Sequence, residues 1–163
     1  MFHAAPISNA DPKIFYAELA QQLEGLLTGE RDTIANAANM AALIFNTVPR
    51  LNWAGFYFLR GEVLVLGPFQ GQPACVRIAM GKGVCGTAAQ TLQTQRVEDV
   101  NAFPGHIACD SASRSELVVP LIRDGKVFGV LDLDSPEPAR FEAVDQAGIE
   151  RLAALFIVAS DPL

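Results

Sequence analysis

Leu117-Val118-Val119-Pro120-Leu121-Ile122-Arg123-Asp124-Gly125-Lys126-Val127-Phe128-Gly129-Val130-Leu131-Asp132-Leu133-Asp134 is the stretch whose reading decides the fold. Two runs of mostly β-branched and aliphatic residues flank a single Asp-Gly break, which reads as two antiparallel strands, Leu117–Ile122 and Val127–Asp134, joined by a tight turn. Side chains alternate along a strand, so Asp132 and Asp134 fall on one face with Phe128 and Val130. Two carboxylates continuing an apolar face are costly to desolvate without partners. Either the strand emerges into solvent there, or the acids floor a pocket that takes a cation or an ammonium group. The hairpin register bears on this. A two-residue turn sets Leu117 opposite Asp132 and turns Glu116 to the other face. A three-residue loop, Arg123-Asp124-Gly125, pairs Ile122 with Lys126 and sets Glu116 directly opposite Asp132. The longer loop is the preferred reading, and like charges so opposed require a bound cation or a shared proton.

Upstream, Asp11-Pro12 reads as an N-cap followed by a proline at the first helical position, with Phe15, Leu19, Leu23 and Leu26-Leu27 recurring on one face up to Gly29. An alanine-rich helix over about Asp32–Val48 ends at Pro49. Strands are expected at Trp53–Leu59 and Val63–Leu66 around Arg60-Gly61-Glu62, with a third over Cys75–Ile78. Gly81-Lys82-Gly83 introduces a short helix to about Leu92. Downstream, Pro138–Val158 reads as an amphipathic closing helix. Helices at both ends around a central antiparallel sheet give an α+β class, a single domain over residues 1–163, with the N- and C-terminal helices packed on one face and residues 1–10 as a flexible segment.

Composition narrows the function classes. Half of the residues are hydrophobic and 18% are charged, as expected of a globular domain and not of a disordered chain. The formal net charge of −6 disfavours nucleic acid and anionic membranes as partners. Neither a signal-peptide core nor an apolar run of spanning length is present, so the expected location is cytoplasmic. There, three cysteines, Cys75, Cys85 and Cys109, suit chemistry better than a permanent disulfide frame. Their glycine-rich and polar surroundings argue against burial. Cys85 sits at the start of the short helix, where the dipole would lower a thiol pKa, although a buried first-turn cysteine fits equally. Cys109 lies in the long loop Asn101–Arg114, near His106 and Arg114, placed as a mobile nucleophile or lid residue. A zinc site from the three cysteines and His106 is weak without a C-x-x-C pair. Trp53 and Tyr57, four residues apart, share strand parity and could line one pocket wall.

Several separated stretches carry a resemblance: Asn52-Trp53-Ala54-Gly55-Phe56-Tyr57, Gly67-Pro68-Phe69-Gln70-Gly71, Gly81-Lys82-Gly83-Val84-Cys85-Gly86, Asp99-Val100, Phe103-Pro104-Gly105-His106-Ile107-Ala108-Cys109-Asp110, Ser113-Arg114-Ser115-Glu116 and Leu131-Asp132-Leu133-Asp134-Ser135. Together they resemble the GAF domain family, and more closely its free methionine-(R)-sulfoxide reductases. The resemblance implies that Cys109 attacks the sulfoxide sulfur and that Cys75 resolves the intermediate as a disulfide, with Cys85 either offering an alternative disulfide or accessory. It implies that Trp53 and Tyr57 contact the substrate, Trp53 packing on its methyl group. Glu116, Asp132 and Asp134 would hold the ammonium group, and Glu116 would assist proton transfer. No cofactor or metal is expected beyond an external reductant, thioredoxin. This fold commonly packs through its terminal helices, which leaves a homodimer open. The alternative reading is a non-catalytic GAF module that senses a small molecule or redox state through the same pocket.

Overall fold

The computed structural model describes residues 6–7, 11–105 and 111–163. Asp11 caps helix α1 (Pro12–Leu27) by accepting from the Lys13 amide, with Pro12 at the first helical position. Asp32 caps α2 (Thr33–Thr47) through the Ala35 amide, and Val48 closes it just before Pro49. Strands β1 (Trp53–Arg60) and β2 (Val63–Gly71) follow, then the short β3 (Arg77–Ala79), which begins after Cys75 rather than at it. Helix α3 (Gly83–Thr91) leads to β4 (Gln95–Val97), and a single 3₁₀ turn covers Val100–Ala102. The hairpin strands are β5 (Ser115–Arg123) and β6 (Lys126–Ser135), and α4 (Ala143–Ala159) closes the chain.

Two further differences from the sequence reading bear on the site and the core. The three-residue β4 was not foreseen; it is held by pairing with β5, Val97 opposite Glu116. The last helix begins five residues later than Pro138. Ala139 takes a left-handed φ of 50°, and a capping box formed by Glu142 and Asp145 starts the helix only at Ala143.

The described strands form one antiparallel sheet in the order β3-β2-β1-β6-β5-β4. Helices α1, α2 and α4 cover one face. Leu19, Leu23, Met40, Ile44 and Phe156 from the helices meet Phe56, Leu117, Leu131 and Leu133 from the sheet, all fully buried. Helix α3 lies on the opposite face, over Trp53, Tyr57, Val118 and Val130. The terminal helices thus pack on one face as expected, and α3 leaves a second, smaller cluster where the cavity opens.

The hairpin register corrects the sequence reading. Asp124 (φ 52°) and Gly125 (φ 73°) form a two-residue turn with both φ angles positive, so Arg123 pairs with Lys126. That is the type I′ geometry whose twist matches antiparallel strands. Ile122 then pairs with Val127 but Leu121 with Gly129, so Phe128 is an extra, bulged residue. Beyond it Glu116 stands opposite Asp134, and Asp132 opposite Val118. The three-residue loop is therefore overturned, yet Glu116, Asp132 and Asp134 share a face because the bulge supplies the missing shift. Its other effect is on Phe128, which packs toward the helix-side core and under the Arg123 guanidinium, 5.0 Å from the ring centre, instead of joining Val130 and the acids.

Candidate active site

The cavity between α3 and the open face of the sheet is lined by Trp53, Tyr57, Ala74, Ile78, Lys82, Val84, Cys85, Ser113, Glu116, Asp132 and Asp134, among others. Most of the residues singled out from the sequence meet here. Lys82, Ser113, Ala74 and Ile78 were not foreseen as lining residues. Lys82 alone carried a signal, as a cation at the start of the Gly-rich helix.

One wall is aromatic. The Trp53 indole stacks on Phe69 (centroids 5.3 Å, planes 14° apart) and on Tyr57 (6.0 Å, 27°), and its Nε1–H donates to the Gln72 carbonyl at 3.1 Å. Two glycines make room for it. A Cβ on Gly55 would come within 2.6 Å of the indole and 2.4 Å of Phe69 Cβ, and one on Gly71 within 2.8 Å of the indole. Tyr57 donates its hydroxyl to the Cys75 carbonyl at 3.0 Å, so it tethers the half-buried Cys75 segment as well as lining the wall. Burial, with the acids nearby, raises the Tyr57 pKa and keeps the phenol neutral.

The floor is acidic. Glu116 and Asp132 are buried and Asp134 is half-buried. Desolvation comes first among the forces on Glu116, followed by repulsion from Asp132 and Asp134; together they push its pKa well up, and it hydrogen-bonds Asp132. Burial likewise pushes Asp132 up to about 7, opposed by hydrogen bonds from Cys85 and Glu116. The pair therefore retains a proton at neutral pH. Asp132 Oδ1 is buried with no hydrogen-bond partner among the described residues, which is rare for a buried acceptor.

Cys85 corrects a second expectation. It is a free thiol in the first turn of α3, but it is buried, with Sγ 3.2 Å from Asp132 Oδ2 and 4.0 Å from Glu116 Oε1. Desolvation and then the charge of Asp132 raise its pKa well above the usual thiol value, outweighing the helix end. Glycine-rich surroundings did not mean exposure. Cys109, together with His106 and Asp110 of the loop read as a lid, lies outside the described residues.

The GAF domain family matches residues 35–159. The chain belongs to that family. It is 51% identical over 140 residues to the free methionine-R-sulfoxide reductase of Escherichia coli, spanning 86% of this chain and 85% of the relative. It is 54% identical over 155 residues to protein YtsP of Bacillus subtilis, spanning 94% of each. The crystal structure of free methionine-R-sulfoxide reductase from Neisseria meningitidis, in complex with its substrate, superposes with a TM-score of 0.92 at 43% identity, covering 96% of this chain and 95% of that one. Within the GAF family, the relatives of this chain thus include the free methionine-R-sulfoxide reductases.

Proposed function

We propose that this GAF domain reduces free L-methionine-(R)-sulfoxide to L-methionine. The observation that carries the reading is the buried Glu116–Asp132 pair, retaining a proton and an unpartnered Asp132 oxygen, directly beneath the Trp53 wall. A free amino acid sulfoxide brings an ammonium group for Asp132 and Asp134, a methyl group for the indole, and an oxygen that must gain a proton. Its carboxylate faces Lys82 and the first-turn amides of α3, where no side chain caps the helix and the dipole favours an anion.

In the reaction, the Cys109 thiolate attacks the sulfoxide sulfur while Glu116 protonates the departing oxygen. The oxygen passes to Cys109 as a sulfenic acid and methionine leaves as the thioether, so sulfur is reduced by two electrons and Cys109 oxidised by two. The Cys75 thiol then attacks the sulfenic sulfur. Water leaves and a Cys75–Cys109 disulfide forms. Two electrons and two protons from an external dithiol of the thioredoxin class restore both thiols. Cys85, buried and held neutral by the acids, stays out of this exchange.

The test is dithiol-dependent consumption of both sulfoxide epimers, supplied free and within a peptide. Turnover of the free (R) epimer alone is expected, because acylating the amine removes the charge that the acids bind. Cys109→Ser should abolish turnover while still binding the substrate. Undiminished turnover by that variant would remove Cys109 from its role, and binding without turnover by the wild type would favour a sensor.

A further inference from the structure

The mechanism proposed above gives no step to the Cys85 thiol, which lies against the acid cluster. Ligand atoms of Cys85, Glu116 and Asp132 all lie within 4.8 Å of one another, and all three residues are buried. A tetrahedral zinc ion, with bonds of about 2.3 Å to sulfur and about 2.0 Å to oxygen, holds its sulfur and oxygen ligands roughly 3.5 Å apart. The observed separations, 3.2 Å to Asp132 and 4.0 Å to Glu116, bracket that edge. Independently, Asp132 is 6% exposed and its Oδ1 has no partner among the described residues, while the carboxylate faces the cavity.

We propose that Cys85, Glu116 and Asp132 form a site for a zinc-class divalent cation, whose occupancy excludes the substrate's ammonium group and reversibly halts the enzyme. One sulfur and two carboxylates suit a borderline-soft ion better than magnesium or calcium, which take oxygen alone. Three protein ligands leave the fourth tetrahedral position open to the cavity. On binding, the thiol proton and the proton shared by the two carboxylates leave to solvent, and no group changes oxidation state. The exclusion rests on the reductase reading; the ion site does not. The site also differs from the three-cysteine and His106 set considered from the sequence, since only Cys85 is common to both.

The probe is Co²⁺ added to the reduced chain, with a phosphine reductant that does not compete for metal. One equivalent per chain should produce a thiolate-to-cobalt charge-transfer band in the near ultraviolet, and Zn²⁺ should displace it. The band should persist in Cys75→Ser and Cys109→Ser, vanish in Cys85→Ser, and need at least ~10-fold more cobalt in Asp132→Asn. A band that survives Cys85→Ser, or is missing in the wild type or in Cys109→Ser, overturns the site. Should Cys85→Ser not fold, the carboxylates decide instead: Glu116→Gln and Asp132→Asn must each weaken the cobalt band, and a band that forms at the wild-type cobalt concentration in both overturns the proposal. For exclusion, free methionine-(R)-sulfoxide is titrated into cobalt-loaded Cys109→Ser, which binds without turning over. Loss of the band supports exclusion and a band that survives saturating sulfoxide overturns it. Sulfoxide binding to the metal-free variant, followed by Trp53 fluorescence, separates that failure from a failure of the reductase reading.

Discussion

Glu116 and Asp132 are each other's environment, and that makes their proton the most consequential one in the molecule. Both are pushed up by burial, Asp132 to about 7. If the proton is the one delivered to the sulfoxide oxygen, kcat/KM should fall on the alkaline side as pH rises through about 7. A pH profile of Glu116→Gln, expected to lose most activity and that limb with it, checks the assignment. Stability follows pH in the same direction. Folding raises the Asp132 pKa from 3.8 to about 7, so the folded state binds the proton more tightly. The contribution of this group is largest below 3.8 and is lost as pH climbs toward 7. Asp132→Asn should therefore melt above the wild type in mildly alkaline buffer, with the gain shrinking toward pH 4, as scanning calorimetry would show. At the opposite wall, Gly55→Ala would drive a methyl into the Trp53 ring and Phe69. The expected result is a KM raised ~10-fold or more, a shifted Trp53 emission and a loss of stability of about 1–3 kcal/mol from overpacking.

The elements show where sequence reasoning succeeds. Asp11-Pro12, Asp32 and Pro49 were sufficient to place α1 and α2, because caps and breakers act locally. Alternation alone put Trp53 with Tyr57 and Asp132 with Asp134. What alternation could not reveal was the bulge at Phe128, since its stabilisation comes from Arg123 and the helix-side core, both distant in sequence or folded into place. Helix α4 hid its start for a related reason. Its capping Asp145 also accepts from the Tyr16 hydroxyl at 2.7 Å and the Arg140 guanidinium at 3.1 Å, a buried network joining α1, α4 and the segment before α4. Asp145→Ala would leave Arg140, 7% exposed, as an uncompensated buried cation. A loss of about 3–5 kcal/mol is expected in denaturant titration. For Cys85 the sequence left burial and a lowered pKa as equal readings, and the acids of strands 31 and 47 positions away decide for burial.

At the scale of the whole molecule, the sheet separates two tasks. The face under α1, α2 and α4 is a continuous apolar core, while the face under α3 is shared between a small apolar cluster and the cavity. Lys82 stands at the rim of that cavity in a chain of net charge −6, so it is a local attractor within a field that otherwise repels anions. Lys82→Met should raise KM for the free amino acid several-fold with kcat nearly unchanged, by steady-state kinetics. No helix among the described residues is long and apolar enough to cross a membrane.

The strand order has a consequence for how the molecule opens. The site acids ride on β5 and β6, and Trp53 on β1, the strands flanked on both sides within the sheet, while the short β3 and β4 occupy its edges. Along β5 and β6 each acid is followed by a residue with no exposure at all: Leu117 after Glu116, Leu133 after Asp132. Fraying can loosen the edges without reaching those amides. Hydrogen exchange should therefore show Leu117, Val118, Leu131 and Leu133 released only by global unfolding, and Arg77–Ala79 and Gln95–Val97 released well before it. The binding floor is thus among the last parts of the protein to come apart.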